Sequence, residues 1–159
     1  MKIGHSSDIH RLEKGRPLIL GGVNIPYHLG FFGHSDADVL VHVIAEAIIG
    51  ALGLGDLGKH FPDTDEKYRN INSLEILEAI TTMMEKEKYT IGNVDSLVII
   101  EEPKLQAYIP EMKSNIAEVL KCKETKINIK ATSAEGLGFI GSKQGAMATA
   151  VVLLEEENE

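Results

Sequence analysis

Asp8 and His10 stand two residues apart near the N-terminus, and His42 interrupts an apolar run between Val39 and Leu54. Side chains with even spacing on an extended strand share a face, so Asp8 and His10 can grip one ion. An Asp-x-His pair by itself more often marks the polar surface of an edge strand. A lone histidine on an apolar helix is likewise more often a satisfied core group. Taken together, the three make an N, N, O donor set that suits zinc and leaves a fourth position open to a substrate oxygen. The chain has one cysteine, Cys122. That excludes an internal disulfide and a Cys-based zinc finger, so any metal must use histidines and carboxylates.

The run Gly33-His34-Ser35-Asp36-Ala37-Asp38 gathers four hydrogen-bonding side chains ahead of a helix start, where free N–H groups and the helix dipole favour an anion. Capping accounts for Ser35 and Asp38, in the manner of a capping box, and leaves His34 unexplained. Asp38 and His42 are i and i+4 on one helix face, so Asp38 can orient the imidazole; a solvent-exposed ion pair is the equal alternative. Downstream, Asp56-Leu57-Gly58-Lys59 and Phe61-Pro62-Asp63-Thr64-Asp65 form a polar loop. Its carboxylates can bind sugar hydroxyls, or its Gly and Pro residues simply mark turns. Thr132-Ser133-Ala134-Glu135-Gly136-Leu137-Gly138-Phe139 ends a strand with hydroxyls, a carboxylate and glycines. That combination suits a diphosphate together with a hard cation held by Glu135. The spacing matches neither a Walker A loop nor a dinucleotide fingerprint. Lys104, after Pro103, is a phosphate or base contact, or else a solvated lysine.

The elements that must position these residues follow from periodicity. Residues 2 to 12 alternate as a strand, with Asp8 and His10 on one face and Ile3, His5, Ser7 and Ile9 on the other. Leu18 to Ile25 reads as a hairpin around Gly21-Gly22. Apolar residues recur at helical spacing from Val39 to about residue 53, and again from an Asn72/Glu75 cap through Leu74, Leu77, Ile80 and Met84. Val94 to Glu101 reads as a strand, then a helix carries Pro110 in its first turn, and strands follow at Ile127–Ala131 and Ala146–Leu154. The expected fold is α+β: one α/β sandwich with a mixed four-stranded sheet, helices on one face and an N-terminal hairpin. Residues 1–154 form the domain and 155–159 an acidic frayed tail. A net charge of −8 with only 5% aromatic residues supplies neither the basic surface nor the stacking groups that nucleic-acid binding needs. The longest apolar stretch is broken by His42 and Glu46, too short and polar to span a bilayer. The chain is therefore expected in the cytoplasm, or in a plastid-type organelle stroma after removal of an address.

As an ordered set, Asp8-x-His10, His34-Ser35-Asp36-x-Asp38 with His42, Asp56-x-Gly58-Lys59, Phe61 to Asp65, Gly92-Asn93-Val94-Asp95, Pro103-Lys104 and Gly138-Phe139 closely resemble the 2-C-methyl-D-erythritol 2,4-cyclodiphosphate synthase family. The resemblance runs from residue 1 to about 154. It implies a phosphorus–oxygen lyase of the non-mevalonate isoprenoid pathway. The substrate would be 4-diphosphocytidyl-2-C-methyl-D-erythritol 2-phosphate, and the products the cyclic diphosphate and CMP. It further implies a homotrimer with active sites between subunits. One zinc per subunit would sit on Asp8, His10 and His42, and Glu135 would hold Mg²⁺ or Mn²⁺ together with the diphosphate. His34 and Ser133 would stabilise the transition state.

Substrate contacts are implied at Asp8, His10, His34 and Ser35. Asp56, Gly58, Phe61, Asp63 and Asp65 match positions on the methylerythritol portion. Ile100, Lys104, Leu105, Ala131, Thr132, Ser133 and Glu135 match positions on cytidine and phosphates, with Phe139 and Ser142 completing the set. At Ser142 the family usually carries an arginine, associated with an anion at the mouth of a central apolar channel. Lys143 stands next to it and is expected to point elsewhere, so the channel is expected to bind isoprenoid diphosphates weakly or not at all. The alternative reading of the same residues is a divalent-metal nucleotide phosphohydrolase, in which water attacks in place of the substrate's own phosphate.

Overall fold

The computed structural model describes residues 1–157. Strand β1 (Lys2–Glu13) is followed by a hairpin of β2 (Leu18–Leu20) and β3 (Val23–Ile25), and by the short strand β4 (Gly30–Phe31). Helix α1 (Val39–Leu52), the single turn α2 (Leu57–His60) and helix α3 (Ser73–Lys86) come next. The chain ends with β5 (Tyr89–Ile99), α4 (Ile109–Val119), β6 (Ile127–Thr132), the turn α5 (Gly138–Gly141) and β7 (Gly145–Glu156).

The main sheet runs β4-β1-β7-β5-β6. Its pairs are antiparallel except β5 with β6, which are parallel because α4 carries the chain back across one face. The sheet thus has five strands rather than the expected four. The addition is Gly30–Phe31, which pairs with Leu12 and Glu13 and is too short to leave an alternating pattern. The hairpin forms as expected. Gly21 and Gly22, at φ +56° and +73°, supply the left-handed turn conformation that other residues resist. β5 starts at Tyr89, earlier than the pattern predicts, because a register shift between Ile91 and Asn93 interrupts the alternation. β7 continues through Glu156, and the Glu157 amide donates to the Lys88 carbonyl at 2.9 Å. The first part of the expected frayed tail is therefore paired, while its last two residues lie outside those described.

Helix α1 is apolar almost all round because it is sandwiched. It packs on β1 and β7 below and against α3 beside it. Its close seat on β1 depends on Gly4, where a Cβ would lie 1.8 Å from the Ala47 carbonyl oxygen. The cap of α1 is Asp38 and not Ser35. The buried Asp38 carboxylate accepts from the amides of Val41, Gly21 and Gly22, which pins the hairpin turn to the helix start. Ser35 instead accepts from the Ala37 amide. Asn72 caps α3 as expected. The other sheet face is uncovered in the single chain: Ile3, Ile9 and Val151 are 70%, 56% and 45% exposed. Among the described residues, no helix is long and apolar enough to cross a membrane.

Candidate functional site

Alternation along β1 turns Asp8 and His10 toward the helical layer, and the turn of α1 brings His42 down to meet them. Ligand atoms of the three lie within 4.8 Å of one another. Asp8 Oδ2 is 3.3 Å from His10 Nδ1 and 3.7 Å from His42 Nδ1. Burial pushes the Asp8 carboxyl up, but the two imidazoles facing it outweigh that and hold it well below the usual carboxylate range. His10 Nδ1 is buried with no hydrogen-bond partner. An orphaned ring nitrogen beside a carboxylate and a second imidazole is a donor set that fits a zinc ion.

The expectation that Asp38 orients His42 is not met, because its carboxylate is taken up by the three amides at the helix start. The group behind His42 is Ser73, whose Oγ lies 2.9 Å from Nε2, with Ser35 Oγ at 3.2 Å. Ser73 in turn donates both its amide and its hydroxyl to Asp36. Nothing in the local sequence around Asn72-Ser73 signals this role, since the contact spans 31 residues.

Beside the triad opens a cavity of about 250 Å³ lined by His10, His34, Ser35, His42, Phe61 and Asp63, with Leu57, Tyr68 and Ile76 among its apolar walls. His34 Nε2 is held at 3.1 Å by the Asp65 carbonyl. Asp56 caps α2 by accepting from the Lys59 amide, and Asp65 caps the following turn by accepting from the Lys67 amide. Gly58 sits in α2. The Phe61 ring meets Tyr68 edge to face at 5.3 Å between centroids. Glu46, one helical turn beyond His42, accepts from the Leu57 amide at 2.7 Å and ties this loop to α1. Its spacing from His42 was visible in the sequence, but its partner was not.

A second cavity of about 340 Å³ lies at the far edge of the sheet, lined by Ile100, Lys104, Leu105, Ala131, Thr132 and Ser133, among others. The Glu101 carboxylate accepts from the amides of Ala134 and Gly136, at 3.1 and 3.2 Å, and so clasps the loop that carries Ser133 and Glu135. Glu135 holds a left-handed φ of +53°. Phe139 and Ser142 follow on α5 and its end, where the Ser142 hydroxyl donates to the Phe139 carbonyl. Lys143 pairs with Glu102 at 3.0 Å.

The two cavities do not meet within one chain. Asp8 is paired with Ala148, Ala148 with Val98, and Val98 with Ala131. Asp8 and Ala131, the latter on the strand that leads into the Glu135 loop, are therefore three strand spacings apart, roughly 14 Å.

A model of the YgbB family matches residues 1–155. The 2-C-methyl-D-erythritol 2,4-cyclodiphosphate synthase of Clostridium kluyveri is 54% identical over 154 residues, covering 97% of this chain and 94% of its own. That of Geotalea daltonii is 51% identical over all of this chain and 93% of its own. Among solved structures, IspF of Plasmodium falciparum in complex with CDP is 36% identical at a TM-score of 0.87, with 99% of this chain and 97% of that one covered. The bifunctional IspDF of Campylobacter jejuni is 42% identical at a TM-score of 0.93. This chain covers 98% of its own length but spans only 42% of that longer protein.

Proposed function

Because the chain belongs to the YgbB family, whose relatives above are 2-C-methyl-D-erythritol 2,4-cyclodiphosphate synthases, we propose that its two cavities are the two halves of that enzyme's active site. The reaction is that of the family. The 2-phosphate oxygen of 4-diphosphocytidyl-2-C-methyl-D-erythritol 2-phosphate attacks the substrate's own β-phosphorus, and the bond to CMP breaks. The observation that carries the reading is the triad, whose ligand atoms converge within 4.8 Å, with His10 Nδ1 buried without a hydrogen-bond partner 3.3 Å from the Asp8 carboxylate.

Asp8, His10 and His42 would hold zinc, and Glu135 a Mg²⁺ or Mn²⁺. Cations held there would supply Lewis-acid polarisation of phosphate oxygens and charge to offset that of the leaving CMP. The protein's remaining task is positional, since both reacting groups belong to one molecule. The carboxylates of Asp56 and Asp63 accept from the hydroxyls of the methylerythritol portion, and the Ser35 hydroxyl donates to one of its oxygens. The Ser133 hydroxyl donates to the phosphoryl oxygens as charge builds in the transition state, and His34, its Nε2–H donated to the Asp65 carbonyl, stands beside them. Lys104 contributes a positive charge, and Ile100, Leu105, Ala131 and Thr132 enclose the base.

The roughly 14 Å between the halves is closed by assembly. We place three copies around a threefold axis, the uncovered apolar sheet face inward, so that the Glu135 loop of one subunit approaches the triad of its neighbour. The register supports this arrangement: Ile3 lies opposite Leu153 and Ile9 opposite Met147, which makes the face continuous. The lone Cys122 and the bacterial relatives fit a reducing cytoplasmic setting.

Incubating the protein with the cytidine substrate and Mg²⁺ tests the reading by phosphorus NMR. Resonances of CMP and a cyclic diphosphate are expected. A linear phosphorylated alcohol would overturn it in favour of the phosphohydrolase.

A further inference from the structure

His42 presents Nδ1 to the triad and Nε2 to Ser73, so the identity of the protonated nitrogen decides whether the residue can act as a ligand. Ser73 is fully buried at the first position of α3. Its amide donates to Asp36 Oδ2 at 3.0 Å, and its hydroxyl donates to Asp36 Oδ1 in a short contact. A hydroxyl has one proton, and here a carboxylate takes it. Toward His42, at 2.9 Å, the Ser73 oxygen can therefore only accept. That favours the imidazole hydrogen on Nε2, where Ser35 Oγ at 3.2 Å is a second oxygen able to accept it, and leaves the Nδ1 lone pair bare. The Asp8 carboxylate, which faces Nδ1, is 3.7 Å away, too far to draw the hydrogen to that side by a hydrogen bond.

We infer that Ser73 and Asp36 are positioning residues that lock His42 in its Nε2–H tautomer and so set the metal affinity of the triad. Asp36 reaches this position because its backbone amide is tied to the Ile71 carbonyl at 3.1 Å, which draws the start of α3 against the segment ahead of α1. The relay thus joins the segment ahead of α1 to the start of α3 and braces His42 on α1. The inference rests on the reading of Asp8, His10 and His42 as metal ligands.

The test uses metal-free full-length protein at mildly alkaline pH. Long-range ¹H–¹⁵N correlation spectra report the His42 tautomer, and titration of Zn²⁺ against a chromogenic chelator reports affinity. Wild type is expected to show a single Nε2–H pattern. Ser73→Ala is expected to show a tautomer mixture and a roughly 10- to 100-fold weaker zinc affinity, with helical circular dichroism retained. Ser73→Thr, which keeps the hydroxyl, should recover most of that loss. A wild-type spectrum with the hydrogen on Nδ1 would overturn the inference without any variant. So would a folded Ser73→Ala that binds zinc within twofold of wild type. Wild type that shows the Nε2–H form but takes up no zinc would instead overturn the metal reading, and with it the affinity half of the inference, while the tautomer lock stood.

Discussion

The Asp8–His10–His42 triad and the Glu135 loop are held in place by different physics. Asp8, His10 and His42 ride on a twelve-residue strand and a fourteen-residue helix, packed so closely that Gly4 has no room for a Cβ. Their positions follow from close packing, which yields only in steps that cost whole kilocalories. Ser133 and Glu135 ride on an exposed loop, clasped by two backbone amides that donate hydrogen bonds to one Glu101 carboxylate. Its position follows from polar contacts that water can replace at modest cost. An ion that must wait for its substrate in a fixed geometry is served by the first arrangement. A cation that arrives with a diphosphate is served by the second.

Removing a ligand from the rigid half should have the largest effect. His42→Ala should lose most bound zinc by elemental analysis and at least ~10³-fold of the rate, equivalent to several kcal/mol of charge stabilisation, while keeping its fold. A full zinc complement in that variant would sink the assignment.

Next in size, Gly4→Ala probes the packing itself. A Cβ 1.8 Å from the Ala47 carbonyl oxygen must push β1 from α1, and we expect a loss of about 1–3 kcal/mol in urea denaturation together with weaker zinc binding. Unchanged stability would mean that the triad does not depend on this contact.

In the loop half, Glu101→Ala and Glu135→Gln should both retain zinc yet need about tenfold more Mg²⁺ for half-maximal rate. The first frees the loop and the second weakens the ligand. Zinc loss in either variant would erase the distinction between the halves.

A smaller effect separates the cap of α1 from both. Burial raises the Asp38 carboxyl to about 6, and its ordinary value is 3.8. Amide bonds from Gly22, Val41 and Gly21 oppose the rise, and the nearby Asp36 charge adds to it. A folded-state value above the unfolded one favours the fold when the group is protonated. Stability relative to Asp38→Asn should therefore be highest below about pH 4 and decline as the pH rises through about 6. A flat difference across that range would show that the amides keep the carboxylate ionised at no cost.

Much of this was legible along the chain, because local rules govern it. Helix α1 announced itself through its periodicity, the hairpin through Gly21-Gly22, and Asp8 and His10 through the even spacing that alternation turns to one face. Even the pairing of unlike ligand types was readable, since a chain with one cysteine leaves histidine and carboxylate as the available donors. The tertiary structure decided what proximity in sequence cannot express. Asp38, four residues before His42, turned out to cap α1 and hold the hairpin, while Ser73, 31 residues away, backs the imidazole. Glu101, read as the end of a strand, became the clasp of a loop 33 residues further on. Gly30–Phe31 joined the sheet because Leu12 offered an open edge, not because two residues carry a strand signal. A side chain's spacing determines which face it can share, whereas the partner it meets there depends on which distant backbone the packed core brings within about 3 Å.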